Sequence, residues 1–434
     1  MKNSGIEWIG EIPDDWEVKR GKELFHEINE RCDNPENYPL LSVSEYYGVA
    51  PKSEKIEDGD FITHAETLEG YKICQKGDIV QNIMLAWKRA TGMSDYEGLI
   101  SPAYCIYRPF KQVESKYYHY LFRTNVYADL FKQYSTGIID SRLRLYPNKF
   151  LSLKYVYPPK ETQKKIASYL DSKCSKIEET IQNQQQVIEK LKAYKQSLIT
   201  EAVTGKIQIQ NGKVCGKYES YKDSGVEWIG KIPSEWNCPK IKYLHKGLTD
   251  GTHGTYNRLS NGYLLLSSKN VRDNYIEISD NESFISEEDF KEITANGFPQ
   301  KGDVLLCCIG ASIGRCTIYD LDETVAFQRS VIMIRCNEKI TPRFLMYALK
   351  SSYVLEQENV LINQSAQAGL YQGLVSKIYI TISSVSEQKE IADYLDKKCT
   401  AIDTAIEQKQ KLIEKLTEYK KSLIYECVTG KKEI

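Results

Sequence analysis

Residues 163–206 read QKKIASYLDSKCSKIEETIQNQQQVIEKLKAYKQSLITEAVTGK, and residues 388–431 read QKEIADYLDKKCTAIDTAIEQKQKLIEKLTEYKKSLIYECVTGK. The second stretch repeats the first along its whole length. A shorter repeat precedes each of them, because SGIEWIGEIP at residues 4–13 returns as SGVEWIGKIP at residues 224–233. This period is far longer than a solenoid or propeller unit, so it indicates duplicated domains in a fused pseudo-dimer.

The long repeated stretch is predicted to be a helix with a coiled-coil seam. Apolar or small residues recur at gaps of mostly three and four over several heptads, in the same register in both copies. These seam residues are Ile166, Leu170, Cys174, Ile177, Ile181, Ile188, Leu191, Leu198 and Ala202, and then Ile391, Leu395, Cys399, Ile402, Ile406, Ile413, Leu416, Leu423 and Cys427. Pro158 and Pro159 precede the first helix, and Gly205 and Gly430 stand where C-terminal caps are expected. Each helix is expected to run about 40 residues, or ~60 Å, and can act as a spacer.

Two copies of one seam in a single chain favour pairing between these two helices. A pseudo-two-fold axis relating the halves makes that pair antiparallel. An ordinary helical bundle, or a zipper between separate chains, is the alternative. Polar residues interrupt the seam, and they either fix its register or are simply solvated. They are Gln184, Lys195, Lys409 and Lys420.

Composition narrows the class of protein. The 434 residues are 41% hydrophobic and 27% charged, which suits two or three globular domains. The net charge of -1 argues against a polybasic coat but allows basic patches on particular faces. The start lacks a signal peptide and no apolar run is long enough to cross a bilayer, so a cytosolic location is expected. The twelve cysteines form no CxxC pair, which predicts reduced thiols, and the five histidines show no zinc-ligand spacing.

Two stretches between the repeated ends diverge strongly, at roughly residues 25–157 and 245–382. They share only islands such as Lys76–Ile79 and Lys301–Val304. Short strands separated by turns predict an α+β class. In the first stretch these strands are predicted at Tyr38–Val43, Gly77–Val80 and Ala103–Tyr107. Similar ends that enclose dissimilar stretches indicate a shared scaffold that carries two surfaces with different targets.

Candidate nucleic-acid contacts in the first stretch lie on two predicted turns. Lys88 and Arg89 follow Trp87, and Ser141, Arg142 and Arg144 lie on a predicted loop. Arginine can pair bidentately with guanine, and lysine and arginine bind phosphates. A solvated basic loop explains the same residues equally well.

Candidates in the second stretch are polar or basic residues on predicted turns and strand ends. They are Thr252, His253, Lys269, Asn270, Gln328, Arg329, Gln364 and Gln367. Gly251 and Gly254 allow close backbone approach, so the turn that holds Thr252 can face phosphates. Glutamine side chains match adenine edges. His253 is expected to be a hydrogen-bonding turn residue rather than a catalyst.

The sequence carries no recognisable catalytic motif. An amino-methyltransferase needs an Asn/Asp-Pro-Pro-aromatic motif, and the nearest stretch, Tyr157–Lys160, lacks the polar residue. Neither a G-x-x-x-x-G-K-[ST] phosphate loop nor a G-x-S-x-G elbow occurs. Asp14 and Glu17 imitate a nuclease signature, but they are too close in sequence to lie on separate strands around a metal. Two binding surfaces without chemistry imply partner subunits that supply the chemistry.

The repeated frame GIEWIGEIPDDW, a variable stretch, and PPKETQKKIASYLD leading into a helix that ends EAVTGK resemble the specificity subunits of Type I restriction-modification systems. The resemblance covers essentially the whole chain. It implies two pseudo-symmetric α/β target-recognition domains joined by an antiparallel intramolecular coiled coil. The implied boundaries are 1–157 for the first recognition domain, 158–206 for the central spacer helix, 207–382 for a linker with the second recognition domain, and 383–434 for the C-terminal spacer helix.

The resemblance also implies how such a chain works. Each recognition domain contacts one half of a bipartite, asymmetric DNA site, and the helices set the spacer and dock two modification subunits. Those partners methylate adenine with S-adenosylmethionine, while motor-nuclease subunits use ATP and Mg²⁺, so no cofactor is expected in this chain. Family motifs match Ser101–Tyr104, Arg142–Leu145 and Asp250–His253, which places Tyr104 among the DNA-proximal residues.

Two points depart from this pattern or compete with it. Ser383 and Ser384 replace the double proline before the second helix, so a softer helix start is expected there. A non-catalytic coiled-coil adaptor that binds proteins rather than DNA is the alternative function. On the restriction-modification interpretation, inserting one helix turn near Thr200 should change the spacer between half-sites.

Overall fold

The computed structural model describes residues 1–32, 38–54, 68, 70–280, 282, 284–295, 297–363 and 369–434. Gln364 and Gln367 lie outside these residues. The chain divides into two compact units. Unit 1 comprises Met1–Gln184 with Gln410–Ile434, and unit 2 comprises Gln185–Lys409. The implied segments 1–157 and 207–382 each fall within one unit, while their status as independent domains stays a prediction.

Unit 1 contains short strands, short helices and parts of both long helices. Its strands are β1 (Lys2–Asn3), β2 (Glu11–Ile12), β3 (Glu17–Arg20), β4 (Phe25–Ile28), β5 (Leu41–Ser44), β6 (Gly48–Pro51), β7 (Lys72–Cys74), β8 (Ile79–Asn82), β9 (Thr91–Met93), β10 (Gly98–Ile100), β11 (Tyr104–Pro109) and β12 (Lys154–Tyr157). Its helices are α1 (Ser115–Phe122), α2 (Asn125–Gln133), α3 (Pro147–Ser152) and the first part of α4 (Lys160–Val203).

Unit 2 repeats this plan. Its strands are β13 (Gln208–Gln210), β14 (Lys213–Gly216), β15 (Tyr221–Asp223), β16 (Lys231–Pro233), β17 (His245–Asp250), β18 (Tyr263–Leu266), β19 (Phe284–Ile285), β20 (Val304–Cys307), β21 (Cys316–Ile318), β22 (Ala326–Phe327) and β23 (Val331–Cys336). Its helices are α5 (Glu287–Thr294), α6 (Pro342–Leu349), α7 (Ser352–Asn363), α8 (Gln372–Val375) and the first part of α9 (Val385–Val428).

A four-stranded antiparallel sheet recurs in both units with the same strand order. The order is β4-β11-β8-β9 in unit 1 and β17-β23-β20-β21 in unit 2. Some of the other strands differ, because unit 1 has the pairs β5-β6 and β7-β10 where unit 2 has the three-stranded sheet β19-β18-β22. β5, β8 and β11 overlap the three predicted strands. The α+β class is therefore confirmed, and so is the prediction of a shared scaffold that encloses dissimilar stretches.

The two long helices begin and end at equivalent positions of the repeat. Each has 44 residues. The Ser384 hydroxyl accepts the backbone N–H of Glu387 at 3.3 Å and caps α9, while the softer start expected there stays a prediction. Gly205 and Gly430 adopt φ values of 69° and 74°, which confirms the predicted left-handed C-terminal caps.

Most of the seam residues are buried within each unit, and the seam pairs the helices in opposite directions. In unit 1, Ile166 and Leu170 from the start of α4 share a core with Leu423 and Cys427 from the end of α9. Unit 2 has the converse arrangement, with residues 198–203 from the end of α4 packed with residues 391–402 from the start of α9. The antiparallel coiled coil predicted from the repeat is confirmed in each unit.

Two seam lysines form ion pairs between the helices. The Lys195 ammonium contacts the Asp403 carboxylate at 2.7 Å in unit 2, and Lys420 contacts Glu178 in unit 1. Each pair is the repeat counterpart of the other. Because an ion pair at a seam position matches only one register, these lysines support the register role rather than simple solvation.

The repeated N-terminal frame holds the C-terminal end of a long helix, and we call it the helix-end socket. In unit 1 the socket consists of Ile6, Ile9, Ile12 and Trp16, which are buried with the end of α9. In unit 2 it consists of Val226, Ile229, Ile232 and Trp236, which are buried with the end of α4. The two repeated islands are therefore shared because they pack against each other.

Candidate nucleic-acid interface

A bidentate ion pair fixes the central strands of both units. Arg108 on β11 donates two hydrogen bonds to the Asp78 carboxylate at 2.9 and 3.0 Å. Arg335 on β23 does the same to Asp303 at 3.0 and 2.8 Å. Both aspartates belong to the repeated Lys-Gly-Asp islands, so these islands position the sheet rather than contact a target. Bidentate pairs of this kind add geometric specificity as well as energy.

The residues just before the central strand occupy equivalent positions but differ between the units. Ser101–Ala103 precede β11, and Gln328–Ser330 precede β23. Tyr104 is the first residue of β11, is half-buried, and accepts a hydrogen bond from the Lys72 ammonium at its carbonyl oxygen at 2.8 Å. The same framework thus presents Ser-Pro in unit 1 and Gln-Arg in unit 2.

The two candidate segments of unit 1 meet at Trp87. The Lys88 ammonium lies 5.3 Å from the centre of the indole ring, and the Lys132 ammonium lies 4.8 Å from it. Lys132 also pairs with Asp140 at 2.9 Å, which connects this cluster to the loop that carries Ser141 and Arg142. Cation–π contacts hold these ammonium groups close to one another at the surface. We call Lys88, Lys132, Arg142 and Arg144 the basic surface of unit 1.

The arginine loop of unit 1 is exposed and ordered by its backbone. Thr136 and Arg144 exchange N–H···O bonds of 2.9 and 3.0 Å. Ser141 and Arg142 lie in an exposed 3-10 turn, Asp140–Arg142. Arg144 is half-buried and donates to the Arg142 carbonyl oxygen at 3.3 Å. The loop therefore presents Arg142 to solvent on a fixed backbone.

Arg89 lies instead at a cleft of about 320 Å³ in unit 1, which also contains Arg123 and Lys421. The Arg89 guanidinium donates to Asn125 at 3.2 Å, and its backbone adopts a left-handed φ of 69°. The lining side chains include no carboxylate: they are Arg89, Arg123, Thr124, Asn125, Val126, Lys421, Ser422, Ile424 and Tyr425. We call this the basic cleft, and its three cations suit an anion.

Arg123 was not identified from the sequence. Its guanidinium donates to five backbone carbonyl oxygens, those of Ser44, Glu45, Tyr46, Arg89 and Thr91. Burial, with a smaller contribution from the Arg89 charge, lowers the pKa of Arg123 to about 10. At neutral pH it still carries its charge. An arginine at the end of a short helix gives no sequence signal for such a role.

Three candidates of unit 2 lie side by side. The Thr252 N–H donates to the Phe327 carbonyl oxygen at 2.8 Å, and the Arg329 N–H donates to the Thr252 carbonyl oxygen at 3.0 Å. Gln328 is half-buried and Arg329 is exposed. A Cβ at Gly251 would lie 2.3 Å from the Gln328 backbone, so this turn needs glycine for close approach. Thr252, Gln328 and Arg329 form the polar surface of unit 2.

The other unit 2 candidates take part in internal contacts. The exposed His253 imidazole contacts the Asp250 carboxylate at 2.8 Å, which fits the expected turn role. Lys269 pairs with Glu282 at 2.7 Å. Asn270 is 1% exposed, and its amide donates to Glu277 and Glu282 at 3.1 and 2.8 Å. Its placement gives Asn270 a structural role, because its side chain stabilises a turn and lies away from solvent.

Unit 2 has a cleft at the position equivalent to the basic cleft. It measures about 470 Å³, and its charged lining mixes Lys192, Lys195, Arg315 and Lys350 with Asp273 and Asp403. Lys350 is the counterpart of Arg123 and lies 3.7 Å from Asp273. Among the described residues, Arg123 contacts backbone carbonyl oxygens, whereas its counterpart Lys350 lies close to a carboxylate.

Two features of the described part of the chain bear on other functions. Across the described residues, His, Cys, Asp and Glu side chains form no group of three or more that is arranged to hold a metal ion. None of the helices within the described ranges is both long and apolar enough to span a membrane.

Two units built on one framework and on the paired long helices, with different polar and basic side chains at equivalent positions before the central strand, define a class of duplicated recognition protein. Comparison with known proteins agrees. Residues 257–417 match the family described as Type I restriction modification DNA specificity domain. The specificity subunit of the Type I restriction enzyme MjaVIII from Methanocaldococcus jannaschii is 27% identical, over 97% of this chain and 93% of that protein.

Solved structures show the same fold. A chain from the structure described as the structural basis of complex assembly and conformational transition of the type I R-M system matches with a TM-score of 0.70 at 14% identity, covering 97% of this chain and 100% of that one. The HsdS subunit from Thermoanaerobacter tengcongensis matches with a TM-score of 0.55 at 15% identity, over the full length of both chains. Along nearly its whole length, this chain is similar to proteins named as Type I restriction enzyme specificity subunits.

Proposed function

We propose that this chain is the DNA sequence-recognition subunit of a Type I restriction-modification complex, in which each unit contacts one half of a bipartite, asymmetric site. The observation that carries this proposal is the exchange of side chains on a repeated framework. Ser101-Pro102 and Gln328-Arg329 precede the same central strand in the two units. A repeated scaffold with unlike contact residues suits two unlike half-sites.

The basic surface of unit 1 is proposed to bind the first half-site. Lys88, beside Trp87, suits a phosphate contact, which sets position rather than sequence, and Lys132, paired with Asp140, is a supporting residue. The exposed Arg142 guanidinium, on an ordered loop, suits bidentate pairing with guanine. Arg89 and the basic cleft extend the positive charge along the same unit and suit a further phosphate.

The polar surface of unit 2 is proposed to bind the second half-site. Arg329 is exposed, and Gln328 offers an amide that matches adenine. The backbone of the Thr252 turn brings these side chains together. Lys269 and His253, both engaged with carboxylates, are better placed as supporting residues at the edge of this surface.

The long helices are proposed to dock two modification subunits, one on each unit. Exposed apolar side chains recur there at repeat-equivalent positions one heptad apart. Val187 and Tyr194 in unit 2 are 36% and 55% exposed, and their counterparts Leu412 and Tyr419 in unit 1 are 41% and 52% exposed. Two equivalent apolar stripes suit two copies of one partner.

The chemistry is proposed to lie in the partner subunits. On this proposal the modification subunits supply S-adenosylmethionine-dependent adenine methylation, and the restriction subunits supply ATP- and Mg²⁺-dependent cleavage in the cytoplasm. This chain then contributes recognition and spacing, and no catalytic residue.

The decisive experiment is to co-express the chain with its neighbouring modification subunit and map adenine methylation across a genome by single-molecule sequencing. A split motif with methylated adenine in both halves is expected. Arg142→Ala should relax the preference at one position of one half by about 1–3 kcal/mol, and Arg329→Ala should affect only the other half. An assembled complex that methylates no defined motif would favour the protein-binding adaptor.

Docking has its own test, by native mass spectrometry of the assembled complex. Tyr194→Asp and Tyr419→Asp should each reduce the number of bound modification subunits from two to one, and the double variant should bind none. Tyr243→Asp serves as the control, since Tyr243 is 57% exposed and lies in the 3-10 turn Ile241–Tyr243 rather than on a long helix. Retention of two modification subunits by the double variant would contradict the proposed docking stripes.

A further inference from the structure

The loop of unit 1 that carries Arg142 ends in two exposed aliphatic side chains. Ile138 is 98% exposed, the highest value for a large hydrophobic side chain among the described residues, and the adjacent Ile139 is 54% exposed. Single exposed apolar residues are common on protein surfaces. Two adjacent β-branched residues at the tip of one loop expose apolar surface that no described residue covers, which suits contact with a partner.

The loop is rigid enough to present this tip in one place. The Arg142 N–H donates to the Ile139 carbonyl oxygen at 2.8 Å, inside the reciprocal bonds between Thr136 and Arg144. A Cβ at Gly137 would lie 2.5 Å from the Arg142 carbonyl oxygen, so the two sides of the loop are in contact. At its base, the Leu145 N–H donates to the Ile83 carbonyl oxygen at 2.9 Å. Ordering such a loop on binding costs little further entropy.

Charge around the tip indicates the chemistry of its partner. Arg142 and Arg144 follow the two isoleucines, and Lys132 lies behind them in its pair with Asp140. An apolar tip flanked by cations matches a surface that is anionic overall and has isolated apolar groups. The major groove of DNA has this character, because its only apolar group is the C5-methyl of thymine, and its width admits a two-stranded loop.

We propose that Ile138 contacts the C5-methyl group of a thymine in the half-site bound by unit 1, with Arg142 and Arg144 beside it. This inference rests on the proposed function. It makes Ile138 a specificity residue, because cytosine carries a hydrogen where thymine carries the methyl. It also requires a thymine on one strand of that half-site.

The test is a competition-binding assay with the assembled complex and duplexes that contain its mapped site. Each thymine of the first half-site is replaced in turn by deoxyuridine, which removes only the methyl group. The unaltered complex should lose about fourfold in affinity at one position, the loss expected for one buried methyl. The Ile138→Ala complex should bind the thymine duplex more weakly than the unaltered complex does. It should also bind the thymine and deoxyuridine duplexes with equal affinity. Val214→Ala, an exposed aliphatic change in unit 2 at 45% exposure, should keep the discrimination.

Several outcomes would overturn the inference. They are a half-site without thymine, indifference of the unaltered complex to every deoxyuridine, or discrimination that survives Ile138→Ala. A rise in 2-aminopurine fluorescence that depends on Ile138, without a deoxyuridine effect, would assign the tip as a wedge between base pairs instead. A variant complex that lacks a modification subunit would assign it to protein contact. An unaltered complex that shows no sequence preference would refute the proposed function itself. The outcomes named above refute only the role of Ile138.

Discussion

Replacing Gly205 by alanine tests whether the helix-end socket holds the end of α4. Gly205 has a φ of 69°, which costs an alanine about 1 kcal/mol. The added Cβ would also lie 2.4 Å from Cγ and Cδ of Pro233 and 3.5 Å from the Trp236 ring. Such an overlap in a packed site typically costs about 1–3 kcal/mol more. The expected destabilisation of unit 2 is therefore about 2–4 kcal/mol.

Gly212→Ala is the matched control in the same unit. Gly212 has a φ of 71°, but an added Cβ there would meet no atom within 4 Å. It should therefore show only the backbone cost of about 1 kcal/mol. For a unit of this size, calorimetry should show a fall in Tm of about 4–16 °C for Gly205→Ala and about 2–4 °C for Gly212→Ala. Equal shifts for the two variants would refute the socket as the reason for the shared frame.

Two further predictions concern pH and spacing. The His119 imidazole accepts the Met93 N–H at 3.2 Å, and burial, with nearby Arg123 and Lys116, lowers its pKa well below the ordinary 6.5. Because the unfolded chain then takes up the proton first, stability should fall as the pH is lowered through 6.5, by at most about 1.4 kcal/mol for each pH unit below it, and His119→Met should remove this slope in urea titrations. Inserting seven residues after Gln184 and seven after Lys409 adds one heptad to each long helix, which preserves the seam and lengthens each helix by about 10.5 Å. The spacer in the mapped DNA site should therefore lengthen by about three base pairs, with both half-sites unchanged. An unchanged spacer would contradict the role proposed for the helices.

The site of that insertion differs from the one suggested by sequence. Thr200 lies in the buried end of α4, between Ile199 and Ala202, and its side chain contacts Ser352. An insertion there would separate core residues from their partners. The two units divide each long helix after Gln184 and after Lys409, which leaves both cores intact.

Local periodicity explains what could be predicted from the sequence. The seam, the glycine caps and the duplicated α+β plan follow from patterns a few residues long, repeated twice. The socket could not be predicted, because Trp16 and Gly430 are distant in sequence and meet only in the folded unit. Their repetition marked them as important without indicating that they touch.

Residue type alone was not enough to predict which side chains are available for contact. Asn270 has the amide expected of a base contact, but its hydrogen bonds are used within a turn. Lys132 connects Trp87 to the arginine loop, but it could not be predicted from the sequence. A lysine on an amphipathic helix is normally solvated, and its residue type gives no further indication of a role. Residue type predicts what a group can bind, and only the fold determines whether the group is available.

The structure also indicates where a recognition segment can be exchanged. β3 pairs with β12, with Arg20 opposite Lys154, so the chain between them leaves and returns at adjacent positions. Unit 2 repeats this stem with bridges from Asn237 to Ile382 and from Lys240 to Tyr379. Exchanging residues 25–157 would replace β12 but keep its partner β3, whereas exchanging residues 21–153 keeps both strands of the stem. That exchange should change one half-site in the methylation map and leave the other half and the spacer unaltered. If both half-sites change together, the two units do not act as separate recognition elements.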